Sequence, residues 1–275
     1  MFIKKTNREK IVLPTKCRNC GVELQGRYCH LCGQDMYAGA QRSVRSVVFN
    51  MFENIFSLDN KVFVTLVNLI FRPGKLTLEY FEGHVVRYVV PGKLFWFVSI
   101  LFFALLVSRI SFDEPVSLSS VSTSISVDDN ENIEVLKTNE VKKANFSTYA
   151  PYITFVMIPF FALALMLFFH KKGKDILYVD HLIFSIHFHT FVFLCWTILM
   201  SLTWIWSFSA YWDIIWDILI LFVIPILYLI ISLHVVYRPS KMSLLWKFPL
   251  MILFYFIGLV AVLVLIFVLL DCFIE

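Results

Sequence analysis

The stretch FPLMILFYFIGLVAVLVLIFVLL, Phe248–Leu270, runs for 23 residues without a charged side chain. A bilayer core of about 30 Å needs roughly 20 apolar helical residues, so this segment predicts a membrane span. Four more runs have the same character. Leu94–Ser108 is short, but Lys93 and Arg109 flank it and can reach back to the headgroups. A second covers about Tyr149–Phe169, with Pro159 as an expected kink. A third runs from His181 to about Ile205, and a fourth from about Ile214 to Tyr237 with Pro225 inside it. Composition agrees: 59% of the 275 residues are hydrophobic and 16% are charged, against about 25% charged in an ordinary soluble domain. A soluble globular domain, a disordered tail and a disulfide-stapled secreted domain are excluded. The predicted fold is an all-α membrane protein with a five-helix transmembrane bundle.

Charge distribution orients the bundle. Residues 1–93 carry 14 Lys/Arg against 7 Asp/Glu, whereas residues 109–149 carry 4 against 7. The segment Lys171–Lys174 adds three Lys, and Arg238, Lys241 and Lys247 follow the fourth run. These basic segments alternate with an acidic loop, a Trp-rich turn and a tail free of Lys and Arg. The positive-inside rule then predicts a cytoplasmic N-terminus and, after an odd number of spans, a C-terminus outside. Trp204, Trp206, Tyr211, Trp212 and Trp216 read as an aromatic belt on the outer side. MFIKKTNREK carries no apolar stretch of signal-peptide type, so the first span is expected to remain uncleaved.

Three regions precede or interrupt the spans. Residues 1–40 form a polar head, 41–90 an interfacial block, and 91–275 the transmembrane domain with an outer loop at 111–148. In the block, Val44, Val47, Val48, Met51, Phe52, Ile55 and Phe56 follow helical spacing. Val62–Phe71 is apolar but too short to span, Arg72-Pro73-Gly74-Lys75 breaks it, and a short helix is expected over about Leu76–Phe81. Amphipathic helices on the inner membrane surface and a cytoplasmic helical layer on the bundle both predict this periodicity. The outer loop is Ser-rich over Ser117–Ser126 and reads as an exposed linker.

The head holds Cys17-x-x-Cys20-Gly21 and Cys29-x-x-Cys32-Gly33. Each Cys-x-x-Cys-Gly can form a knuckle whose two thiolates point at one ion, with Gly allowing the tight turn. Two knuckles make a tetrahedral four-sulfur site, and a reducing cytoplasm disfavours disulfides. A structural zinc ribbon is the expectation; a redox dithiol and an iron–sulfur centre are the other chemistries of such a set. His30 lies between two ligands and is read as a surface residue. The low charge density around Lys16, Arg18 and Arg27 argues against nucleic acid as a partner.

Asp180-His181 opens the third span, with His187 and His189 six and eight residues further on. Ionisable residues in a span are functional candidates, so His181, His187, His189 and His234 form a candidate polar site. Helical geometry separates His187 from His189 by about 160°, and places His181 about 12 Å along the axis from His189. A metal there would need ligands from other helices; the alternative is interhelical hydrogen bonding. Asp213 and Asp217, one turn apart, form a candidate outer acidic pair or interfacial charges.

Several of these segments carry a resemblance: Cys17–Gln34, Phe56–Asp59, Leu69–Lys75, Tyr80–Gly83 with Arg87, Tyr88 and Pro91, and Asp180–His189. Together they resemble a bacterial integral-membrane family, a domain of unknown function with an N-terminal four-Cys zinc ribbon. The likeness is best over residues 17–110 and departs at Asp180, where Glu is expected, and at His84, where a basic residue is usual. It implies a bacterial inner-membrane location and transfers no catalytic residue.

Three functions compete on this reading. The first is a non-enzymatic inner-membrane protein whose ribbon and interfacial segment form a cytoplasmic platform for a protein partner. The second is a small transporter or channel component with a histidine-lined path. The third is a membrane enzyme dependent on a metal or a lipid. The bilayer is a partner in all three, and an oligomer is compatible with each.

Overall fold

A computed structural model of the chain describes residues 15–36, 44, 61–113, 153–169, 176–205 and 218–274. The described residues are helical apart from a small cysteine-containing head, whose isolated bridges pair Lys16 with Glu23 and Tyr28 with Asp35. The helices are α1 (Lys61–Phe71), α2 (Lys75–Glu82), α3 (Pro91–Asp113), α4 (Ile153–Phe169), α5 (Tyr178–Ile205), α6 (Leu219–Tyr237) and α7 (Lys241–Ile274). Of these, α3, α5, α6 and α7 are long and apolar enough to cross a membrane, and α4 is a shorter apolar helix. The chain is a multi-pass membrane protein, with the five expected runs present as four full-length helices and one shorter one. The Trp-rich turn, most of the outer loop and the periodic segment up to Phe56 lie outside the described residues.

Helix α5 is the hub. In its membrane-crossing stretch 67% of residues are buried, against 11% in α7, so α5 is wrapped by protein and α7 faces outward. Its start is set by Asp180. The Asp180 carboxylate accepts from Leu177 N–H at 3.0 Å, as the N3 residue of a capping box does, while Asp180 N–H donates to the backbone C=O of Leu177 at 3.0 Å, and the two bonds fix the first turn. One face of α5, with Leu182, Ile183, Ile186 and Phe193, packs on Phe95, Val98 and Phe102 of α3 and on Ile158 and Ala162 of α4. Phe184 faces a second cluster formed with Leu165 of α4, Leu229 and Leu233 of α6 and Met251 of α7. Phe191 enters a third with Leu69, Leu76 and Tyr228, and its ring stacks on Tyr228 at 3.6 Å.

The third cluster places α1 and α2 against the bundle. Thr65 and Leu69 of α1 are buried against the bundle, while Phe63, Val64, Val67 and Phe71 are exposed. The pair is therefore a layer packed on the spans that keeps an apolar outer face. Tyr228 donates to Leu69 C=O at 2.8 Å, and Thr65 Oγ1 accepts from Val89 N–H at 3.1 Å. The intervening turn needs its glycine: Gly74 sits at φ 77°, and a Cβ there would press on Ser232 and Val236 of α6.

Two helices depart from the sequence reading. Helix α7 begins at Lys241 and continues through Pro249, so Lys241–Lys247, read as loop, is helical. The charges that suggested a loop sit at the start of a helix, where the side chains reach water while the backbone stays helical. In α6, Leu219–Val223 is a π-helical turn directly before Pro225. The wider turn fits a proline that has no N–H for the α-helical ladder.

Candidate metal centre and the buried histidines

The head is one turn built twice. Cys17 N–H donates to Val22 C=O and Gly21 N–H to Cys17 C=O, each at 2.8 Å. Twelve residues on, Cys29 N–H donates to Gln34 C=O at 2.9 Å and Gly33 N–H to Cys29 C=O at 2.8 Å. Both glycines have positive φ, 77° and 73°, which side chains rarely adopt. The two knuckles bring Cys17, Cys20, Cys29 and Cys32 together, with all four sulfurs within 4.8 Å of one another. Cys17 Sγ lies 3.6 Å from Cys32 Sγ, and Cys20 Sγ 3.5 Å from Cys29 Sγ. Those separations exceed a disulfide bond of about 2.05 Å. They approach the edge of about 3.8 Å that a tetrahedron of sulfurs about 2.3 Å from a central ion would have. The set could hold a metal ion.

Electrostatics separate the thiols. Backbone N–H groups of Cys32 and Leu31 point at the Cys29 sulfur and outweigh its desolvation, lowering its pKa to about 6. Cys20 receives a similar bond from Val22, but desolvation and the neighbouring sulfurs together raise it to about 12. Cys29 is therefore the readier of the two to ionise, and binding of a metal ion by the set would release thiol protons.

The head is fastened to the membrane domain. Helix α2 ends in a Schellman motif: Gly83 N–H donates to Tyr80 C=O at 3.1 Å and His84 N–H to Glu79 C=O at 2.9 Å. The carbonyl of Gly83 accepts from Gln34 Nε2 at 2.8 Å, and Gln34 is buried. A Cβ on Gly83 would lie 3.0 Å from Arg18 Cδ. Gln34 follows the second knuckle as Val22 follows the first, and the exchange of Val for a long amide is the sequence sign of this contact. Beside it, Glu79, Glu82 and His84 form a second group with metal-ligand geometry, in which His84 Nδ1 lies 2.7 Å from Glu79 Oε2.

The predicted intramembrane histidines do not converge. His181 Nδ1 lies 2.8 Å from Tyr237 Oη, with the two rings stacked. His187 Nδ1 lies 3.0 Å from Thr77 Oγ1, tying α5 to α2. His189 Nδ1 lies 2.8 Å from Ser185 C=O, and its Nε2 lies 3.0 Å from Tyr255 Oη on α7. A carbonyl only accepts, so Nδ1 carries a proton; in the neutral ring Nε2 then accepts from Tyr255. Neither nitrogen of His189 is left for a metal. His234 is exposed on α6. Among the described residues no group with metal-ligand geometry includes these histidines. Asp213 and Asp217 lie outside the described residues. The sequence did not indicate Thr77, Tyr237 or Tyr255 as partners, because each lies on another helix.

Comparison with curated proteins and with solved structures gives no match. Residues 59–103, which hold α1, the Arg72–Lys75 turn, α2 and the start of α3, match the family model described as "Protein of unknown function (DUF3667)".

Proposed function

We propose that this chain is a non-enzymatic protein of the bacterial inner membrane whose zinc-loaded ribbon is a cytoplasmic docking platform for a protein partner. Zinc is the ion favoured by four thiolates at tetrahedral spacing, and such a closed site stabilises a fold without doing chemistry. The observation that carries the reading is the way the ribbon is held. Gln34 fastens one side of it to the end of α2, where the Arg18 side chain lies against Gly83, while Tyr28 and Leu31 stand 60% and 69% exposed. Large apolar side chains on a small module that is already anchored offer a contact surface for another protein. The buried histidines are used in interhelical hydrogen bonds, which favours a packing role over a transport path.

The test is a photo-cross-linker placed at Leu31 and, as a control, at Glu23 in cells. The expected result is a discrete adduct from position 31 that disappears with Cys20→Ser and is not formed from position 23. Equal labelling from both positions, or labelling that survives loss of the cysteines, would overturn the platform reading.

A further inference from the structure

An open groove of about 320 Å³ lies between α6 and α7, lined by Ile230, Lys241, Leu244, Leu245, Phe248 and Pro249. Five of these residues are apolar and one is a cation. Their order along the helices gives the groove a direction. Lys241 is the first residue of α7 and lies at the mouth, next to the turn after Tyr237. Ile230 and Phe248 each lie seven residues from that turn, which places the far end of the slot about 10 Å deeper in the membrane domain. The slot is at the lower end of the ligand-pocket range of about 300–1,000 Å³, enough for part of one hydrocarbon chain.

The mouth is positive for two reasons. Lys241 lines it. The N-terminal end of α7 adds the positive pole of a helix, with Ser240 Oγ accepting from Ser243 N–H at 3.3 Å. Pro249 also lines the groove and has no N–H for the Leu245 carbonyl, so the helix is weakened beside it. An apolar slot with a cationic mouth is complementary to an amphiphile with a negative head.

We propose that this slot is a specific site for one anionic phospholipid, with an acyl chain between α6 and α7 and the phosphate against Lys241. A zwitterionic lipid offers the same chain but brings its own cation to the mouth. Near a membrane surface each Lys or Arg contributes about 1 kcal/mol to attraction of anionic lipid, a factor of about five in affinity.

Native mass spectrometry of the full-length protein in detergent, titrated with dioleoylphosphatidylglycerol or dioleoylphosphatidylcholine, tests this. The expected result is one phosphatidylglycerol retained per chain, with phosphatidylcholine about five-fold weaker. Lys241→Gln should weaken phosphatidylglycerol about five-fold and leave phosphatidylcholine unchanged, whereas Lys241→Arg should keep both. Leu245→Trp should fill the slot and remove both lipids. Lys247 lies over the Trp246 ring at 5.4 Å and does not line the slot, so Lys247→Gln should change nothing. Equal retention of the two lipids would overturn the proposal. So would a loss with Lys247→Gln equal to that with Lys241→Gln, which would mean general surface attraction. A dimer that Leu245→Trp dissociates, without retained lipid, would assign the slot to a second copy instead.

Discussion

A methyl group at position 258 would overlap the Phe160 ring, so Gly258 lets α4 and α7 approach each other. The Phe160 ring also stacks on Phe254 at 5.0 Å, one turn before the glycine. Gly258→Ala should therefore destabilise the fold by about 1–3 kcal/mol through overpacking, read as a lower thermal midpoint in detergent. Phe160→Leu in the same chain should recover part of the loss, because it removes the ring that the methyl meets. Tyr255→Phe tests a different term. It leaves the buried Nε2 of His189 without its donor and should cost about 0.6–1.7 kcal/mol, the range for hydrogen bonds between membrane helices. Thr77→Val makes the matching cut at His187, and the two losses should add, since His187 and His189 bond to different helices.

At the scale of elements, the ribbon and α2 are separate units joined by a few contacts. The four cysteines converge inside the ribbon, and Gln34 with Gly83 ties it to the end of α2. The two roles predict different phenotypes. Cys17→Ser should lower metal content below one ion per chain by elemental analysis. Gln34→Ala should leave metal content unchanged, yet speed release of a metal-bearing N-terminal fragment under limited proteolysis. If both variants lose metal, docking and metal binding are one cooperative event. Much of this element was legible in the sequence, because Cys-x-x-Cys-Gly fixes both ligand direction and turn. The docking contact was not, since nothing local distinguishes a Gln that reaches another helix from one that faces water. The start of α7 was missed for a similar reason: Lys241 and Lys247 lower the apolar count without interrupting the backbone.

For the whole molecule, the decisive quantity is the number of crossings. Helix α4 has 17 residues and spans about 25 Å, a little less than the hydrocarbon core. If it crosses, the Lys/Arg distribution and the odd count place the two termini on opposite sides. Reporter fusions should then show the N-terminus in the cytoplasm and the C-terminus outside. Both termini on one side would mean that α4 lies within the bundle without crossing.

The sequence by itself determined that the chain lives in a bilayer and that four cysteines meet. Both follow from local information: runs of apolar residues at the length of a span, and ligands spaced within two short turns. Only the tertiary structure showed which groups the intramembrane histidines meet. Their spacing along α5 leaves a metal, a proton path and packing open, and their partners Thr77, Tyr237 and Tyr255 lie 56 to 110 residues away along the chain. It also showed that α1 and α2 pack on the bundle, because the periodicity of a helix shows which face is apolar but not what covers it.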